Sequence, residues 1–464
     1  MKNRVKYSAV MLSVILMLAG CNAAGTEKDH SDGPTVQSSI TQSETSTDTS
    51  ESSKAEESIS EESSKAEGSS EADTKDESSA DENSNQSDVG SGEITVKEAN
   101  TDNTQLSSGT YEVKIGNKTV TLSGAYVVDG IDAVIDGGQW SSSETDQNVF
   151  LIINGGSLTL KNAALTKTGD AGTNDSTRKS DVSDDYNFYG INSVILTVGE
   201  NSKANIENCT IKSDCSGANA VFSLNEANVG LSNVSINTTG NSSRGVYATY
   251  GGTINADHLD ITTTGAHCAP IATDRGGGYV TVKNSKLNSS GDRSPNIYST
   301  GEITVENCVG ISTGAQAAVI EGKNSITMTD CSFTVSGSGN NGVMLYQSMS
   351  GDAADSDATA SVSTLTMTNT TITSELDGPM FYITNTSSVI NLKGGNTLTA
   401  KSGNLVSAGT GRWGKDGYNG GKLTLNISGE SYSDSITADD ISSVTVNLSD
   451  GAKYTGSTSG PVTT

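Results

Sequence analysis

Val280-Thr-Val-Lys-Asn284, Ile303-Thr-Val-Glu-Asn307 and Ile326-Thr-Met-Thr-Asp330 are one five-residue pattern met three times: apolar, Thr, apolar, any residue, then Asn or Asp. Upstream it reads Leu158-Thr-Leu-Lys-Asn162, Ala204-Asn-Ile-Glu-Asn208 and Val229-Gly-Leu-Ser-Asn233, and downstream Leu365-Thr-Met-Thr-Asn369. Ile254-Asn-Ala-Asp-His258 and Ile390-Asn-Leu-Lys-Gly394 are variants, while Leu423-Thr-Leu-Asn and Val444-Thr-Val-Asn continue it. The fifth positions fall at 208, 233, 258, 284, 307 and 330, in steps of 25, 25, 26, 23 and 23. Self-similarity at a fixed period of this size predicts a solenoid. The steps of 46 before and 39 after this run equal one coil plus an inserted loop.

Within a period the apolar residues alternate, which marks strands. A second strand starts a few residues on (Cys209-Thr-Ile-Lys, Val234-Ser-Ile-Asn, Cys331-Ser-Phe-Thr). A third follows a glycine-rich turn (Gly245-Val-Tyr-Ala, Asn296-Ile-Tyr-Ser, Ala318-Val-Ile-Glu, Pro379-Met-Phe-Tyr). Three strands and three turns in about 24 residues predict an all-β parallel helix. On coil length and turn asparagines, residues 105 to 455 resemble the pectin-lyase-like right-handed parallel β-helix superfamily. That resemblance implies a fold and leaves the function open. The repeated Asn or Asp reads as a ladder of turn amides running from coil to coil, with His258 substituting once.

Composition agrees with this reading. Of 464 residues only 33% are hydrophobic and 5% aromatic, and 51 are glycine, which excludes one large globular core. A coil buries only a few inward residues per strand, so little apolar surface suffices. The 28 basic against 55 acidic residues give a net charge of -27, which disfavours nucleic acid as a partner. Residues 26–92 hold 18 of the acidic and 4 of the basic residues, and Glu51-Ser-Ser-Lys-Ala-Glu56 recurs as Glu62-Ser-Ser-Lys-Ala-Glu67. Such a stretch cannot bury enough apolar surface to offset its ordering entropy, so residues 21–94 read as a disordered linker ahead of a β-helix domain at 95–464.

Before the linker, a basic start (Lys2, Arg4, Lys6) leads into an apolar run from Tyr7 to Ala19, too short to span a bilayer. Residues 1–20 read as a signal peptide. Leu18-Ala19-Gly20-Cys21 resembles the bacterial lipobox. The resemblance implies that Cys21 becomes the acylated N-terminus and that the protein is held at the outer face of the cell membrane by lipid.

Candidate chemistry is sparse. The remaining cysteines, Cys209, Cys215, Cys268, Cys308 and Cys331, show no zinc spacing and read as buried thiols. His258 and His267 read as turn residues, and no Asp pair sits within one strand. Charged turns flank the third strands instead: Arg244 before one, Asp274 and Arg275 after the next, Asp292 and Arg293 before the one that follows. Tyr247, Tyr298, Tyr346 and Tyr382 lie in third strands, and Arg412-Trp413 comes later. Aromatic faces beside Arg and Asp suit sugar rings and their hydroxyls, so these nine charged and tyrosine residues are the expected glycan-binding set. Packing accounts equally well for about half of the aromatics. Two insertions, Gly169–Asn187 and Ser348–Ser363, carry several aspartates without matching a known calcium pattern; they read as loops in which calcium is a lesser alternative. The leading expectation is non-catalytic binding of a glycan or cell surface, as in an adhesin. The alternatives are a polysaccharide lyase or glycoside hydrolase using Asp274, Arg275 and Arg293, and a passive surface spacer.

Overall fold

The computed structural model describes residues 93–97, 106–173, 182–348 and 362–464. The signal peptide, Cys21 and the linker as far as residue 92 lie outside the described residues, as do 174–181 and 349–361 of the two insertions. The described part is a right-handed parallel β-helix. One side of each coil belongs to a 14-stranded sheet; its first strand, Gly109–Ile115, is antiparallel to the next, which leaves thirteen strands stacked in parallel, one per coil. The first and second strands of the coils form a 22-stranded sheet.

Register explains why the pattern repeats. Leu158, Ala204, Val229, Ile254, Val280 and Ile303 pair in turn across successive first strands, so each apolar residue lands on the one below. Stacked at ~4.8 Å, these columns form one continuous core with no need of a wide interior. Where a large ring enters that stack, room is made beneath it. Gly310 lies in register between Leu287 and Phe333, and a Cβ there would sit 2.9 Å from the Phe333 ring and 2.4 Å from the Leu287 carbonyl oxygen.

The bend between first and second strands requires a left-handed residue. Asn162, Asn208, Asn233, His258, Asn284, Asn307, Asp330 and Asn369 all have φ between 47 and 57°. Short Asn and Asp tolerate this region because their side chains bond locally. The amides also bond between coils: Asn233 donates to Asn208 (2.8 Å), Asn307 to Asn284 (2.7 Å) and Asn369 to Asp330 (2.5 Å). His258 keeps the turn but not the ladder. Its Nδ1 faces Asp257 (2.8 Å), and the Asn284 amide donates to that same Asp257 (2.6 Å).

The five cysteines of the coils are free and buried, with the Cys308 and Cys331 thiols donating to the Val282 (3.5 Å) and Val305 (3.6 Å) carbonyls of the coil before. At the first insertion, buried Lys167 donates from its ammonium to the carbonyls of Glu144 (2.8 Å) and Gly169 (2.6 Å), placing a cation of the chain's own where those carbonyls converge.

The outer face of the third-strand sheet is covered at one end. There the strands Gly109–Ile115 and Lys118–Asp129 and the short helix Asp184–Tyr189 pack Ile115, Leu122, Phe188 and Tyr189 against Leu151, Leu196, Phe222 and Tyr247. Beyond Tyr247 the sheet face opens.

Candidate functional site

In the strands Ile271–Thr273, Ile297–Ser299, Ala318–Glu321 and Val343–Tyr346, alternation turns every second side chain outward. Register brings two such outward columns together. Ala272, Tyr298, Val319 and Met344 pair in sequence, and one step further along each coil run Asp274, Thr300, Glu321 and Tyr346. All of these except the buried Ala272 floor a cleft of about 690 Å³. Arg244, His267 and Arg293 line it from the turns that precede third strands, and Arg412 and Trp413 from a loop farther along.

Of the three acids lining this cleft, Asp184, Asp274 and Glu321, the last two are held by tyrosine. Tyr247 donates to Asp274 Oδ2 (2.6 Å). Tyr346 (2.5 Å) and Tyr298 both donate to Glu321 Oε2. Burial, then the neighbouring Glu321 charge, raises both phenols well above their ordinary pKa, so they stay protonated as donors. Glu321 is only 4% exposed, so those bonds offset the loss of water around its charge. Burial also pushes the Asp274 carboxyl above the usual range, opposed in part by the charge of Arg244 and the Tyr247 bond. Two coil steps separate the residues, roughly 9.6 Å along the axis at ~4.8 Å per step.

The basic side is equally built. Arg244 is nearly buried; its Nη1 donates to Asn187 (2.7 Å) and its guanidinium lies 4.6 Å from the Tyr247 ring centre. Arg293 is exposed next to Asp292 (3.6 Å). The Trp413 ring packs on Tyr346 with centres 4.5 Å apart, and Arg412 lies over Trp413 at the same distance. The cleft therefore offers aromatic surface, guanidinium donors and carboxylate acceptors within one enclosure.

Of the residues expected from sequence, Arg244, Asp274, Arg293, Tyr298 and Tyr346 line this cleft. Tyr247 has no exposed surface and meets the site through its bond to Asp274 and its ring beside Arg244. Arg275, in the turn after the strand Ile271–Thr273, is outside the lining; its guanidinium stacks on the Phe188 ring (4.1 Å). Asp292 lies outside the lining, as does Tyr382, whose hydroxyl donates to the Thr410 carbonyl (3.2 Å). His267, read from sequence as a turn residue, has a left-handed φ of 59° and also lines the cleft. Trp413, noted from sequence beside Arg412 but not among the nine expected residues, lines the cleft, whereas Glu321 and the helix residues Asn187 and Phe188 were missed. Glu321 carried no distinguishing signal, because Asp129 and Asp439 stand at the same position of other third strands. Among the described residues no three His, Cys, Asp or Glu side chains cluster to hold a metal ion.

No family model matches the chain, and no curated protein matches it. Among solved structures the chain is similar to the catalytic domain of a GH87 alpha-1,3-glucanase variant in complex with tetrasaccharides, at 11% identity and a TM-score of 0.30, with 72% of this chain covered. It spans 64% of that chain, just under two thirds of its length. A likeness of that degree says nothing about what this chain binds.

Proposed function

We propose that the cleft on the third-strand sheet binds a glycan, and that the protein presents it at a cell surface. The observation that carries this reading is the enclosure itself: Tyr298, Tyr346 and Trp413 beside Arg293, Asp274 and Glu321 in a space within the ~300–1,000 Å³ of small-molecule sites. Sugar rings stack on aromatic faces, and their hydroxyls bond to fixed carboxylates and guanidiniums. Retention of the full chain on a glycan array, lost on Trp413→Ala, tests it. Equal retention by the variant would move the binding surface elsewhere.

The presenting half of the proposal rests on sequence alone. Cys21 is the acylation site and residues 21–94 the stalk, with the outer membrane face as location.

The Asp274 and Glu321 pair favours a second reading, hydrolysis of the bound glycan with inversion. Their separation along the axis, roughly 9.6 Å, lies just above the ~6.5–9.5 Å that leaves room for a water between two carboxyl groups. In that reading Asp274, whose carboxyl burial pushes above the usual range, is the acid that gives its proton to the leaving glycosidic oxygen. Glu321 takes a proton from the water whose oxygen bonds the anomeric carbon as the old C–O bond breaks. New reducing ends released by the full chain, and abolished by Glu321→Gln with binding retained, would favour hydrolysis over simple binding.

A further inference from the structure

The glycan reading leaves open whether a polymer can run through the cleft, and the two ends of the cleft bear on this. Resting on that reading, we infer that the site takes a chain end or a short oligosaccharide, and excludes the interior of a long polymer. The ligand-facing groups Asp274, Glu321 and Tyr346 follow one another along the solenoid axis, so a chain using all of them lies along that axis.

One end is closed by the helix Asp184–Tyr189. Thr249 Oγ1 donates to the Phe188 carbonyl (2.8 Å), Arg244 bonds Asn187, Arg275 lies on the Phe188 ring, and Tyr189 stacks on Tyr250 at 5.6 Å. Behind this helix Phe222 and Tyr247 have no exposed surface, so the sheet face offers no path past it. The other end is closed by the loop after Asn404–Ala408. That loop folds back two coils to set Trp413 on Tyr346. Asn419 fixes its shape by donating to the carbonyls of Gly411 (3.0 Å) and Trp413 (3.0 Å), while the Asn385 backbone N–H donates to the Asn419 carbonyl (3.0 Å). From the coil of Val246–Thr249 to that of Val343–Tyr346 is four steps, roughly 19 Å at ~4.8 Å each. Both walls are thus held by several contacts, and a chain longer than the gap cannot continue along the sheet.

The test is a length series titrated calorimetrically into the full chain: linear gluco-oligosaccharides and oligogalacturonates of two to eight rings, with their parent polymers. In a series that binds, the Kd is expected to fall with each added ring until the gap is filled and then stay within about two-fold, and the polymer should bind only in proportion to its chain ends. Asn419→Ala, which frees the loop forming the far wall and is checked for unchanged circular dichroism, should move the plateau to longer oligomers. A Kd that keeps falling through eight rings, or polymer binding in proportion to total rings, overturns the chain-end inference and leaves glycan binding standing. Binding by neither series overturns both for these sugars.

Discussion

At the residue scale, the site depends on where side chains point, and sequence resolves that only in part. Arg244, Asp274, Arg293, Tyr298 and Tyr346 were legible because they lie in or beside third strands. Glu321 was not, since nothing near it in sequence is acidic, and its partner Asp274 comes from two coils away. Arg275 and Asp292 show the converse: a charged residue in the right turn can face away. Asp274 also sets a pH dependence. Its carboxyl is raised in the folded state, first by burial, so the folded chain binds a proton more tightly than the unfolded chain does. Its contribution to stability is full below the ordinary Asp pKa of about 3.9 and is lost as pH rises through the raised folded value. Asp274→Asn should flatten that fall in a urea-denaturation series from pH 3 to 8. An unchanged slope would mean that the carboxyl is not held protonated by the fold.

At the element scale, the turn asparagines and the register of the columns were legible almost completely, because both repeat. The left-handed φ of 50° at Asn284 gives the repeat its physical reason. Asn284→Gly should lose the rungs to Asp257 and Asn307 yet keep the turn, whereas Asn284→Ala loses both. Denaturant midpoints should therefore place Ala below Gly by about 1 kcal/mol, the usual penalty of a left-handed non-glycine residue. The reverse order would show that the left-handed backbone is not what the turn demands of residue 284. Gly310 makes the same argument in the core. Gly310→Ala should cost about 1–3 kcal/mol through overpacking against Phe333 and the Leu287 carbonyl, and Phe333→Leu should recover part of it. The helix Asp184–Tyr189 and the fold-back of Trp413 left no periodic trace, since each occurs once and is fixed by contacts distant in sequence.

At the scale of the whole molecule, residues 26–92 carry -14 of the -27 charge, and the coils carry the cleft. If Cys21 is acylated, the full chain sediments with membranes, and Cys21→Ala should release it to the medium with the coils still folded. Continued membrane association of Cys21→Ala would remove the anchor from the account. The central claim, that the cleft binds sugar, is tested most directly by probing the full chain and its Trp413→Ala variant on the same glycan array. The account predicts retention on a defined set of glycans by the parent chain and loss of that set by the folded variant. Identical profiles for the two proteins, or no retention by the parent on any glycan, would contradict it.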